Sequence, residues 1–176
     1  MAVAKKKKKF FDVNIPIVGK QTQMQAYELG ELDGRFLKYD LTRMLKGKSM
    51  MLTLKVKIEK DEAFASPKKI MLLPYFLRRM VRKGTNYVED SFAADCKDGK
   101  IIIKPFLVTR RKVSRAVRNA LRKRTREELT NYVKDKTSEE LFDEVLKNQI
   151  QRPLSQKLKK IYPLSLCEIR VLEIKN

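Results

Sequence analysis

The chain has no histidine and no tryptophan, and only two cysteines, six glycines and six prolines in 176 residues. The absence of histidine removes the one side chain whose unperturbed pKa suits proton transfer near neutrality. An enzyme built from this sequence would have to run on carboxylates, Lys, Tyr or Cys. Cys96 and Cys167 stand far apart and no CxxC occurs, whereas a zinc site needs about four ligands. The sequence therefore offers no metal site and no cofactor, and the two thiols read as packed free cysteines. No stretch approaches the roughly 18 consecutive apolar residues of a membrane span. The lysines at the start are followed by no apolar run, so they do not read as a secretory signal.

Acids are outnumbered about two to one. Lys and Arg number 41 against 21 Asp and Glu, a formal charge of +20 with a pI near 10.0. Such a charge opposes compaction by self-repulsion unless a polyanion neutralises it. The hydrophobic share of 43% supports a real core, and a chain of this length can bury roughly 70% of its extended surface. These facts point to a cytosolic protein bound to nucleic acid rather than to a membrane, with a basic tail over residues 1–9 and a single domain over 10–176.

The most informative stretch is Arg110 to Arg126, which carries nine cations and no acid in seventeen residues. Read as a helix at about 100° per residue, it places Arg111, Arg115, Arg118, Arg122 and Arg126 on one face. Val113, Ala116, Val117 and Ala120 fall roughly opposite, as a docking side. A solvated basic helix usually interleaves Glu with Lys for i,i+4 pairing; this one has nothing to pair with. Arginine matches phosphate best, because its planar fork makes two parallel hydrogen bonds.

Along the chain, the five lysines Lys5, Lys6, Lys7, Lys8 and Lys9 lead into an extended run, Phe10 to Val18, which Pro16 marks as an edge strand. Residues 19–25 read as a polar connector and Arg35 to Leu45 as a strand closed by Lys46-Gly47-Lys48. Met50, Leu52, Leu54, Val56 and Ile58 alternate with polar or charged neighbours, the period of a half-buried strand. Ala63 to Ile70 reads as a return strand interrupted by Pro67. Pro74 opens a short helix over Tyr75 to Lys83, with Gly84 just past its end and Arg78, Arg79, Arg82 and Lys83 at helical spacing. Tyr87 to Cys96 and Ile101 to Val108 flank an Asp-Gly hairpin turn. From Arg110 the pattern is helical, with a capping box at Thr125 and Glu128 that suggests a break, and a second at Thr137 and Glu140 opening an acidic helix. Arg152 to Ile161 gives another helix, exposing Lys157, Lys159 and Lys160, and Leu164 to Ile174 a last strand. The class is α+β.

Several of these pieces stand in a familiar order. They are the Tyr75 helix, the Lys97-Asp98-Gly99 hairpin, the run Phe106-Leu107-Val108-Thr109-Arg110-Arg111, and the ending Lys160-Ile161-Tyr162-Pro163-Leu164 with Ile169-Arg170. With the opening Lys9-Phe10-Phe11-Asp12-Val13, they make the chain resemble the archaeal and eukaryotic small-subunit ribosomal protein family called S three A (also e-S-one), over roughly Phe10 to Lys175. A tryptophan is usual where Phe10 stands. The N-terminal extension reads as very short and the family's C-terminal extension as missing, and the Tyr75 helix lacks the usual polar Thr-Arg-Asp start. The resemblance implies a partly closed, mostly antiparallel β-barrel core with several helices, one of them long and basic. It also implies a structural, non-catalytic role in the cytoplasmic ribosome. The place would be the platform of the small subunit, near the mRNA exit and the 3′ end of the rRNA, beside neighbouring ribosomal proteins and mRNA. Lys5 to Phe11 would run along rRNA near that exit.

The expected RNA-binding residues are then Lys5 to Lys9, Phe10 and Phe11, with Arg78, Arg79, Arg82 and Lys83. The basic helix adds Arg110, Arg111, Lys112, Arg115, Arg118, Arg122, Lys123 and Arg126, and the late helix Lys157 and Lys160. Phe10, Phe11 and Tyr75 could stack on unpaired bases. Two alternatives share the charge: a free RNA chaperone or assembly factor, and a metal-dependent nuclease using Glu89, Asp90 and Asp95. In one extended strand, Asp90 would point away from the other two carboxylates and spoil a Mg²⁺ site.

Overall fold

The computed structural model describes residues 7–60 and 62–175. Lys5 and Lys6 lie outside them. The chain divides into two compact units, one of Met1–Tyr39 with Leu52–Lys68, the other of Asp40–Met51 with Lys69–Asn176.

In the first unit, β1 (Lys9–Ile15) and β2 (Lys20–Ala26) form an antiparallel hairpin, with Lys9 opposite Ala26 and Ile15 opposite Lys20. Val13 and Ile15 are buried, and Phe10 turns outward. The expected connector is thus strand β2. Its polar sequence hid the alternation, because only Ala26 at its end is buried. Nor is β1 an edge. It pairs β2 on one side and, in parallel, β5 (Glu62–Leu72) on the other, through Val13–Ala63 and Asn14–Phe64. Pro16, with no N–H to give a ladder, sits just past the strand's end. After a single 3-10 turn at Leu29–Leu32 come β3 (Phe36–Asp40) and β4 (Met50–Glu59). In β4 the expected alternation holds: Leu52, Leu54 and Val56 are fully buried, while Lys55 and Lys57 are exposed. The buried parity in β5 switches from Ala63 and Ala65 to Ile70 and Leu72. Pro67 lies in the gap, between the residues paired to β1 and those paired further along the chain.

The second unit is built on β8 (Gly99–Thr109) and β9 (Leu164–Lys175), antiparallel from Lys100–Lys175 to Thr109–Leu164. The sequence reads Tyr87 to Cys96 as one strand; the structure divides it into β6 (Tyr87–Glu89) and β7 (Phe92–Cys96), both paired to β8. Among the described residues four helices complete the unit: α1 (Pro74–Met80), α2 (Arg115–Val133), α3 (Ser138–Leu146) and α4 (Gln151–Leu158). Helix α2 lies against β6 and β7, and α4 against β9 and α2. The core holds Ile101, Ile103, Leu107, Leu121, Leu141, Phe142, Leu158 and Leu172.

The α+β class stands, but the barrel does not. The strands follow the order β2-β1-β5-β9-β8-β6, with β3 and β4 joined through β5 and β7 joined through β8. Among the described residues no pairing connects the two ends, so the nine strands form an open sheet. Closure needs two long edges that hydrogen-bond to each other, and terminal strand β6 has only three residues.

Candidate nucleic-acid interface

The basic tract divides into an extended part and a helical part, and two polar side chains explain why. The Thr109 hydroxyl is fully buried, donating to Arg111 O at 2.7 Å and accepting the Asn86 N–H at 3.0 Å. Asn86 Oδ1 in turn accepts the Val113 N–H at 2.8 Å. This clamp holds residues 110–113 out of the helix, and Ser114 caps α2 by accepting the Val117 N–H. Arg110, Arg111 and Lys112 therefore project from a braced turn, all three exposed, and the expected helical start at Arg110 moves to Arg115.

Within α2 the docking side also differs from the one read in the sequence. Ala116 and Ala120 are exposed; the buried line is Leu121, Thr125, Leu129 and Val133, each four residues from the last. Thr125 does not cap or break the helix. It is 1% exposed and its hydroxyl donates to Leu121 O at 2.7 Å, satisfying itself on the preceding turn. The helix runs through to Val133 because this row continues past Thr125.

The cations of the tract have unequal fates. Arg115, Arg122 and Lys123 are exposed and carry no ion pair among the described residues. Arg118 is half-buried, with its Nε shielded and unpartnered. Arg126 is committed to the fold, making a two-pronged pair with Asp90 while its guanidinium lies 5.4 Å from the Phe92 ring centre. Lys157 is likewise engaged, 2.5 Å from Glu128 Oε2; Lys160 is exposed.

Helix α1 ends at Met80, earlier than its sequence pattern suggests. Arg78 and Arg79 lie on the helix, and Arg82 and Lys83 on the turn closed by Gly84 at φ 86°. All four cations are exposed. Beside them Tyr87 is 54% exposed and stacks on the buried Phe106 at 6.0 Å, walling a hollow with Leu77, Arg78 and Val81. This hollow is invisible in the sequence, because its aromatics come from different strands. In the other unit, Lys7 and Lys8 precede β1, and Lys8 Nζ lies 5.6 Å from the Tyr27 ring centre. Phe10 is 63% exposed, whereas Phe11 is half-buried. Tyr75 is exposed at the start of α1.

The carboxylates of the nuclease alternative are neutralised by cations. Glu89 accepts from Arg170 at 2.9 Å, Asp90 is held by Arg126, and Asp95 lies 4.0 Å from Lys100. They sit on different strands and the link between them, and no group of three or more metal-capable side chains occurs among the described residues. No described helix is long and apolar enough to cross a membrane.

A strongly basic α+β scaffold with an acid-free arginine turn defines the class of small cationic proteins that meet polyanions. The model of the ribosomal S3Ae family matches residues 4–176, and the chain belongs to that family. It is similar to small ribosomal subunit protein eS1 of Methanothermobacter thermautotrophicus, 33% identical over 56% of this chain and 52% of that protein. The same protein of Nanoarchaeum equitans is 23% identical over 94% of this chain and 87% of its own length. That of Saccharolobus islandicus is 25% identical over 96% and 85%. The match to the Methanothermobacter protein thus spans about half of that relative's length. The family is the one its motifs resemble, a family of ribosomal proteins.

Proposed function

We propose that this protein is a structural constituent of the small ribosomal subunit that binds small-subunit rRNA without catalysis or cofactor. Its place is the platform near the mRNA exit in the cytoplasmic ribosome, with neighbouring ribosomal proteins and mRNA at hand. The observation that carries the reading is the braced, acid-free group Arg110, Arg111, Lys112, Arg115, Arg122 and Lys123, six exposed cations with no ion-pair partner among the described residues. Cations left unpaired by the fold neutralise phosphates with counterion release. An A-form helix hides its base edges in a deep groove, so such a turn reads backbone shape rather than sequence. Arg78, Arg79, Arg82 and Lys83 add a second basic patch, and Lys5 to Lys9 with Phe10 and Phe11 a third. Arg118, Arg126 and Lys157 contribute less, since the fold already occupies or covers them.

The experiment is sedimentation of a native lysate on sucrose gradients at low and high salt. The protein is expected to stay stoichiometric with the small subunit after the salt wash. Release at moderate salt into other fractions would make it a chaperone or assembly factor and overturn the structural role.

A further inference from the structure

Helix α4 carries a second cationic face that the basic tract does not account for. Arg152, Ser155, Gln156 and Lys159 follow the i, i+3, i+4, i+7 rule and share one side of the helix, opposite the buried Leu154 and Leu158. The chain leaves α4 through Tyr162-Pro163 and enters β9 at Leu164, which pairs with Thr109. That pairing brings Arg110, from the end of β8, to the same place. The result is a hollow of about 350 Å³ lined by Arg110, Arg152, Ser155, Gln156 and Lys159, and no acid lines it. Its three cations have no ion pair among the described residues, and the Ser155 hydroxyl and Gln156 amide have no side-chain partner there. The nearby Lys157 points elsewhere on the helix, to Glu128.

Three like charges gathered around one hollow repel each other, and only an anion reverses the sign of that energy. We propose that this hollow is a further RNA-backbone site, in which Arg110, Arg152 and Lys159 take successive phosphates of one strand while Ser155 and Gln156 donate to phosphate or ribose oxygens. Arg152 and Lys159 stand about 10.5 Å apart along the helix axis at 1.5 Å per residue. A single free phosphate presents its oxygens at one point, whereas an RNA strand presents them in series, and the face suits the strand. The proposal rests on the rRNA-binding reading but uses side chains separate from the α2 turn, apart from Arg110.

The test compares full-length wild type with the double variant Arg152→Gln, Lys159→Gln for binding to a small-subunit rRNA transcript across salt concentrations. Both side chains are exposed and unpartnered, so the variant keeps its melting temperature. Losing two phosphate contacts makes the slope of log K against log salt shallower by about 1.5. The variant's deficit is then about eightfold larger at 50 mM than at 200 mM salt. In the wild type, Lys159 is expected to be shielded from acylation by the transcript and not by inorganic phosphate. An unchanged slope, or a Lys159 that stays reactive in the complex, overturns the site while leaving the main reading intact. Shielding by inorganic phosphate alone would make the hollow a free-anion site. Failure of the wild type to bind the transcript would overturn both readings.

Discussion

Arg126 and Asp90 meet end to end: the guanidinium Nε lies 3.1 Å from one carboxylate oxygen and a terminal nitrogen 3.0 Å from the other. The pair fastens α2 to the link between β6 and β7, where Asp90 separates two short strands. Seen on a helical wheel, Arg126 belongs with Arg115 and Arg122. In the folded protein it does not, because its charge is already answered.

This separates cations of the fold from cations left for RNA. Arg126→Gln should lower stability by about 1 kcal/mol, the scale of a well-formed bidentate pair, and leave the salt slope of rRNA binding unchanged. Arg122→Gln should do the reverse, keeping the melting temperature and reducing the slope by about 0.7–0.9. Thermal melts and salt titrations of the two variants check this, and equal slopes for both would sink the distinction.

Local patterns in the sequence announce only part of this. Strand β4 and the Thr137 box were legible, because a two-residue alternation and a capping spacing are local facts. The docking side of α2 was not: Ala116 and Val117 looked apolar enough, but Leu121, Leu129 and Val133 bury more surface and win. Thr125 completes that row only because its hydroxyl bonds back to Leu121, which no pattern announces. The implied barrel failed for a non-local reason, the mismatch of end strands that come from distant parts of the chain. Among the candidate site residues, the basic tract was visible as composition, whereas the commitment of Arg126 to Asp90 and Lys157 to Glu128 depends on partners 36 and 29 residues away. Arg152 and Lys159 escaped because their significance needs Arg110 beside them.

Asn86 is the brace of the basic turn, though it lies more than 20 residues from the cations it positions. Replacing it with Ala leaves the Val113 N–H without its acceptor, at a cost of about 1–2 kcal/mol. The turn at Arg110 to Lys112 then loses its fixed geometry, and rRNA affinity should fall at every salt concentration with little change in slope, since no cation is lost. Calorimetric melts together with salt titrations check it. Full affinity in a destabilised variant would show that the turn needs no bracing.

The two thiols should react very differently. Burial, with the charge of Glu168 beside it, pushes the Cys167 thiol up to about 12, so at pH 8 only about one molecule in 10⁴ carries the reactive thiolate. Cys96 sits at the hairpin turn, half-exposed, with its sulfur donating to Gly99 O. Titration of the native protein with a thiol reagent should therefore label one cysteine, Cys96, and denaturation should release the second. Rapid labelling of both in the native state would contradict the packing around β9.

Below neutrality, stability should bend only at acid pH. Backbone and side-chain hydrogen bonds from Thr137 hold Glu140 below its usual pKa, the Lys157 ammonium does the same for Glu128, and Thr42 for Asp40. A carboxylate with a depressed folded pKa contributes stability above its unfolded value, about 4.3 for glutamate, and loses it as pH falls through the folded value. The chain has no histidine, so no side chain of ordinary pKa titrates between about pH 5 and 8. The melting temperature should be flat there and fall below about pH 4.5. Two variants separate the cap's parts. Glu140→Gln removes a titrating group and should make the acid fall shallower. Thr137→Ala keeps the backbone N–H that most strongly depresses Glu140 and loses only the weaker side-chain bond, so it should lower the midpoint by about 2–4 °C at neutral pH and make the acid fall only slightly shallower. A Thr137→Ala curve that converges on wild type at acid pH, where Glu140 is protonated, would mean that the cap acts through charge rather than through its hydrogen bond to the helix.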